Sequence, residues 1–197
     1  MVSLNFKNER VSFLNIVNDD LEQLLDWYNK LDQFMFATGV DRYLTLDEMQ
    51  KKINEAAVSG YDFFVWIINE QGYKIGILKG SMKYQEKDSL WINSILIDSQ
   101  FRGMGYGRTV IESLIDYCRI SFGLEKVLVS VIEDNTGAVA FWEKIGFYTV
   151  KKLEKHVLLG EKMRDVIIMQ KSKINYSWDT PKQEILESSK SKIIFKK

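Results

Sequence analysis

The sequence holds one cysteine, one histidine and one proline in 197 residues. With Cys118 alone, no internal disulfide framework can form, which fits a reducing compartment. An excess of charge is also missing: 27 basic residues balance 27 acidic ones, so nothing global calls for nucleic acid or an anionic membrane. Long apolar runs are absent too. The longest, Phe63 to Ile68 (FFVWII), is far short of the roughly 20 residues a membrane helix needs. The first residues, MVSLNFKNERVSFLNIVNDD, lack the apolar core of a secretory signal, so we expect a cytoplasmic chain. What the chain does have is 46% hydrophobic and 13% aromatic residues, a globular composition long enough for one buried core.

Periodicity divides this core into elements. Val11 to Val17 is β-branched and apolar enough for a strand. Asn18-Asp19-Asp20 precedes LEQLLDWY, whose Leu21, Leu24, Leu25 and Tyr28 share a helical face. Thr45-Leu46-Asp47-Glu48 has the form of a capping box and predicts a second helix running to about Gly60. Three strand-like segments follow, DFFVWIIN, YKIGILKGSMKY and LWINSILI, the first two joined by a Glu70-Gln71-Gly72 turn. Val110, Ile111, Leu114, Ile115 and Cys118 then make a core-facing helical stripe that ends near Gly123. KVLVSVI (126–132) reads as a buried parallel strand, and a helix from Asn135 closes at Gly146. Strands near Tyr148–Leu153 and Val166–Gln170 complete the order β α α β β β α β α β β, an α/β class. We expect one domain over 1–172; residues 173–197, with six lysines against three acids, read as a basic tail or docking segment carrying Trp178.

Between the fourth strand-like segment and its helix stands IDSQFRGMGYGRT, with Gly103, Gly105 and Gly107 bracketed by Arg102 and Arg108. Successive main-chain N–H groups in such a turn form an anion nest, and the helix N-terminus aims its positive end at the same place. The two guanidiniums can add charge-assisted bonds to phosphate oxygens. A plain strand-to-helix turn is the simpler alternative. Two familiar phosphate loops are excluded. Gly107 is followed by Arg108-Thr109 where a Walker A loop needs Lys-Ser/Thr, and Arg108 or Val110 stands where the dinucleotide fingerprint needs its last glycine.

QFRGMG (100–105) resembles the Arg/Gln-x-x-Gly-x-Gly/Ala signature of the GNAT superfamily of acyl-CoA-dependent N-acetyltransferases. NTGAVAFWEKIGF (135–147) is similar to that superfamily's second signature, and the likeness extends over about Arg10 to Lys171. The resemblance implies a central, twisted, mixed sheet with splayed parallel strands 4 and 5, flanked by helices. It implies acetyl-CoA as co-substrate, with no metal, and a primary amine as acceptor; a homodimer stays open. The main chain of Arg102, Gly103, Met104, Gly105, Tyr106, Gly107 and Arg108 would take the pyrophosphate. The strand edge at Ile95, Leu96 and Ile97, with Asn135, would bond the pantetheine arm, and Phe141 and Trp142 would wall its thiol end.

The acid–base chemistry is less well written. Many family members carry a tyrosine acid seven residues after the asparagine; here that place holds Trp142. Trp91 and Asn93 occupy the inward positions of the fourth strand where a base often stands, and Asn93 could order a water. Glu133 and Asp134, at the end of the fifth strand, are candidate substitutes or else solvated turn acids, with Asp134 helping to cap the helix, while Tyr84 and Tyr148 are spare phenols. His156 reads as a surface residue and Cys118 as a small core hydrophobe. The acceptor side is expected in NKLDQFMFATGVDRYLTLDE (29–48) and the last hairpin, where Asp32 and Asp41 could attract a cationic polyamine, aminoglycoside or peptide N-terminus. The vacant acid position keeps a non-catalytic acyl-CoA-binding module as the alternative.

Overall fold

The computed structural model describes residues 2–4, 6–83, 89–124 and 126–171. One of its inner strands shows why the sheet needs two helical layers. In β2 (Asp62–Asn69), Phe63, Val65 and Ile67 belong to one buried cluster, while Phe64 and Trp66 belong to another. Successive strand side chains point to opposite faces, so an apolar run of this kind must be covered on both.

Seven strands lie in the order β1-β2-β3-β4-β5-β7-β6. β1 is Val11–Asn15, β3 Lys74–Lys83, β4 Ser89–Ile97, β5 Lys126–Ile132, β6 Phe147–Leu159 and β7 Lys162–Lys171. Every neighbouring pair is antiparallel except β4 and β5, which are parallel. That parallel pair needs a crossover, and α4 (Tyr106–Phe122) supplies it, burying Val110, Ile111, Leu114, Ile115 and Cys118 against one face. Each such side chain contributes about 1.5–3 kcal/mol when fully buried. α5 (Thr136–Lys144) joins the same layer through Trp142. α1 (Leu21–Tyr28), α2 (Leu31–Thr38) and α3 (Leu46–Val58) cover the other face. The Thr45 cap is as read: its Oγ1 accepts the Glu48 N–H at 3.3 Å, and the Glu48 carboxylate accepts the Thr45 N–H at 3.0 Å.

Two elements depart from the expected order. The segment 29–48 is not all loop, because Leu31–Thr38 is a helix that ends at a left-handed Gly39. Its first turn has no side-chain cap, and its eight residues carry too short a stripe to be read by period. The final hairpin is longer than expected; β6 is mostly solvent-exposed, as an edge strand can be, and two bulges interrupt it. Tyr84 and residues 173–197, Trp178 among them, lie outside the described residues. No described helix is long and apolar enough to cross a membrane.

The irregularity that makes the site lies in β4. Lys79 pairs with Ser94 and Gly80 with Ile92, so Asn93 is an extra residue, a bulge. Gly80 permits this close approach: a Cβ there would sit 2.4 Å from the Trp91 carbonyl and 2.3 Å from the Phe63 ring. A bulge bends its strand. β4 and β5 accordingly pair only from Ser89↔Lys126 to Ile92↔Val129, and from Asn93 onward they part while β5 continues along β7.

Candidate active site

Where the parallel strands part, a cleft of about 480 Å³ opens. Ile95 and Ile97 of β4 form its floor, and Phe101, Arg102, Gly103 and Gly105 form one wall. α5 supplies the opposite wall through Gly137, Phe141 and Lys144.

The glycine loop is shaped by backbone angles other residues rarely adopt. Gly103 and Gly105 have φ of +78° and +86°, and Gly105 is the residue from which α4 springs. The first N–H to find a helical carbonyl is that of Thr109, bonded to Gly105 O at 3.1 Å. The N–H groups of Tyr106, Gly107 and Arg108 open the helix and have no carbonyl one turn back. They carry the positive end of a 17-residue helix dipole. Gly107 stands against Phe141, whose ring would lie 3.2 Å from a Cβ there.

The two arginines flank this mouth but are already held. Arg102 Nε donates to Ile97 O at 2.8 Å, with its guanidinium 5.5 Å from the Phe34 ring centre. Arg108 reaches Lys144 O at 3.3 Å and Glu112 at 3.5 Å, and stays about half exposed. Lys144 is a third cation of the cleft that sequence reading missed, with Gly137 and Ile145. The signal was there: Gly137, Phe141 and Lys144 follow at i, i+4 and i+7, one stripe of α5.

The same spacing separates Phe141 from Trp142. One step along a helix turns a side chain by about 100°, so the neighbouring stripe of Ala138 and Trp142 faces the sheet. Trp142 is 3% exposed, between the rings of Phe141 at 5.1 Å and Phe147 at 4.9 Å, and it does not line the cleft. Met104 is exposed and outside the cleft, and the Tyr106 hydroxyl is committed to the Glu70 carboxylate at 3.0 Å. Leu96 points its side chain into the opposite core and its carbonyl toward β3, where a Cβ at Gly76 would lie 2.3 Å from it, so Leu96 offers the gap neither. Asn135 caps α5, its Oδ1 accepting the Ala138 N–H at 3.2 Å.

The candidate acid–base residues do not converge. Asn93 is exposed at the bulge, Trp91 is half-buried with Lys83 Nζ 5.5 Å from its ring centre, and the next residue, Ser94, donates to Ala37 O at 2.7 Å. Glu133 is paired with Lys152 at 2.7 Å, and Lys152 also meets Asp165 at 3.0 Å. These two carboxylates push the Lys152 ammonium pKa up, and the Lys155 N–H with the Lys152 charge holds Asp165 below the usual carboxylate range. Asp134 does not cap α5; it meets Arg164 and, at 3.6 Å, Lys162. His156 is exposed, and burial pushes the Cys118 thiol up to about 12, which leaves it inert as a nucleophile.

On the face away from α4, α2 meets the last hairpin. Met35 and Phe36 pack on Ile132, Leu159 and Val166, and the Arg164 guanidinium lies 5.2 Å from the Phe36 ring centre. Asp41 accepts the Gly160 N–H at 2.9 Å, whereas Asp32 and Tyr43 are exposed and Phe34 is buried.

A parallel pair that splays at a bulge, with a glycine loop and helix N-terminus at the gap, defines the acetyltransferase fold of the GNAT type. A family model described as an acetyltransferase (GNAT) domain matches residues 15–168, and the chain belongs to that family of N-acetyltransferases. The chain is 28% identical over 109 residues to a glucosamine 6-phosphate N-acetyltransferase of Arabidopsis thaliana, 52% of this chain and 70% of that one. It is 27% identical over 153 residues to an uncharacterized N-acetyltransferase of Methanocaldococcus jannaschii, 74% of this chain and 62% of that one. Among solved structures, a spermidine N-acetyltransferase from Vibrio cholerae in complex with CoA and spermine superposes with a TM-score of 0.72 at 22% identity, covering 83% of this chain and 95% of that one.

Proposed function

We propose that the chain moves an acetyl group from acetyl-CoA to a primary amine by direct attack within a ternary complex. The observation that carries this reading is the set of unpaired N–H groups at Tyr106, Gly107 and Arg108, opening onto the gap between β4 and β5. The donor set fits a diphosphate: main-chain N–H groups and a helix dipole for the oxygens, with Arg102, Arg108 and Lys144 for the charge. The β4 edge from Asn93 to Ile97 has lost its β5 partner, so the main-chain groups on that side, apart from Ile97 O, which accepts from Arg102 Nε, are available to an arm that carries amides.

When bound, acetyl-CoA supplies a thioester whose acyl carbon bonds the amine nitrogen as the C–S bond breaks, the amine's proton ending on the departing thiolate. The chain's own part is positional. The floor residues Ile95 and Ile97 give the gap an apolar lining, and the loop would fix the diphosphate end. No free carboxylate stands at the gap among the candidates, since Glu133 is tied to Lys152. Selection therefore falls on an amine that reaches the gap deprotonated, with Asn93 able to order a water beside it. α2 and the β6–β7 hairpin would shape the acceptor's approach.

The test is CoA thiol release over a panel of amino sugars, polyamines, diamino acids and peptide N-termini. Release that depends on one acceptor class is the expected result, with a rate that rises with pH toward that amine's own pKa. A chain that binds CoA and releases none with any amine would instead favour the non-catalytic acyl-CoA-binding module. The placement of Trp142 in the core, where a family tyrosine acid would stand, is the observation on that side.

A further inference from the structure

The glycine loop is gripped from outside the cleft by a residue 94 positions earlier in the chain. Arg10 Nη2 donates to Met104 O at 3.1 Å, and its guanidinium lies 4.9 Å from the centre of the Tyr106 ring. Its Nη1 would be 3.5 Å from a Cβ at Gly105. The Tyr106 hydroxyl, 3.1 and 3.0 Å from the two Glu70 oxygens, in turn shares its one proton with that carboxylate, on the turn between β2 and β3. Tyr106 and the Arg10 charge both help hold the Glu70 carboxyl below its ordinary range, behind its own backbone N–H.

Arg10 is delivered there by a built turn. Asn8 Oδ1 accepts the N–H groups of Arg10 at 2.9 Å and Val11 at 2.8 Å, and Asn8 Nδ2 donates to Ser113 of α4 at 2.6 Å. The arm before β1 is thus tied to the same helix whose N-terminus borders the cleft.

The consequence follows from peptide geometry. In a trans peptide the C=O of one residue and the N–H of the next point in opposite directions. Met104 and Arg10 do not line the cleft, whereas Gly105 does. Holding the Met104 carbonyl on the Arg10 side therefore turns the Gly105 N–H toward the cleft side. Without that hold, a loop with two left-handed glycines has other orientations open to it.

We propose that Arg10 is a positioning residue for the diphosphate site: by holding the Met104 carbonyl it presents the Gly105 N–H, with the N–H groups that open α4, to the phosphate oxygens. The proposal rests on the reading of the cleft as an acyl-CoA site, and the experiment separates the two. Calorimetry measures CoA, 3′-dephospho-CoA and pantetheine on the wild-type chain and on R10A, R10M and R10K.

Wild-type chain that binds none of the three removes the reading of the cleft itself. With that binding present, R10A and R10M should each weaken CoA about tenfold, the scale of one charge-assisted bond, with melting temperature little changed without ligand. R10K, which can still donate to Met104 O, should recover part of that loss, and it stands in should R10A fail to fold. The loss should be the same for dephospho-CoA, which keeps the diphosphate, and should vanish for pantetheine, which lacks it. CoA affinity unchanged in R10A, a loss that disappears with dephospho-CoA, or an equal loss on pantetheine would each overturn the assignment.

Discussion

Replacement of Gly105 separates what the loop does for the fold from what it does for the ligand. At φ +86° an L-residue costs about 1–2 kcal/mol in the left-handed region, and a β-branched one more. Space is not the obstacle, because the nearest atom to a Cβ there is Arg10 Nη1 at 3.5 Å. Gly→Ala also stiffens the unfolded chain, which returns about 0.4–1 kcal/mol, so G105A should lose on the order of 1 kcal/mol and G105V more. For a chain of this size that lowers Tm by about 2–4 °C. Gly123 is the natural control: it ends the same helix at φ +68° with nothing within 4 Å of its Cβ position, and it stands far from the cleft. G123A should lose a similar amount of stability and no ligand affinity. Differential scanning with CoA at about 100 times its wild-type Kd should add about 2.7 kcal/mol to wild type and to G123A. A tenfold weaker site leaves about 1.4 kcal/mol, so the rise in Tm should halve for G105V. Equal ligand-induced shifts in all three chains would refute the placement of the diphosphate on this loop.

Two further outcomes test neighbouring claims. W142F should lower stability by about 1–3 kcal/mol through imperfect refilling of the core and leave kcat within about twofold, whereas an acid role would show as a loss in kcat. At the start of α3, the Arg42 guanidinium, at 2.5 and 3.0 Å, and the Thr45 N–H hold the Glu48 carboxyl at about 2, against an ordinary 4.5. A depressed carboxyl stabilises the fold above its unfolded pKa, and that contribution disappears as pH falls from 4.5 toward 2. E48Q keeps the capping box but not the charge, so the slope of Tm against pH across that window should flatten, and an unchanged slope would refute the assignment.

Much of this fold is legible because the decisive signals are local. The Thr45–Glu48 box, the stripe from Val110 to Cys118 and the left-handed glycine after α4 each lie within one element, and each is where the sequence places it. The glycine loop between β4 and α4 was readable for the same reason. The splay of β4 and β5 came from the family likeness, since its cause is not local: it arises from the Asn93 bulge, which depends on Gly80 in another strand. α2 escaped because eight uncapped residues carry little periodicity. Arg10 escaped because a contact 94 residues distant leaves no spacing to count. Trp142 fell to the wrong face because a motif position was followed instead of the helical turn from Phe141.

A site of the proposed kind can carry Trp142 at that position and keep its shape. On the proposed function, the groups that would meet the diphosphate and the arm are mainly main-chain N–H and C=O, fixed by glycine angles, a bulge and a helix start. Side-chain substitution does not remove them, so Trp142 can join the core while the cleft stays open beside it. Discrimination among amines then has to come from side chains, and those nearest the gap on the other face belong to α2 and the β6–β7 hairpin. There Arg164 joins Phe36, Asp134 and Leu159 O, and Asp41 holds Gly160, so three chain segments are locked by polar contacts. On the proposed function, an acceptor wall built this way would be set by tertiary contact between segments more than a hundred residues apart, so one local pattern points to the proposed donor while none points to the amine.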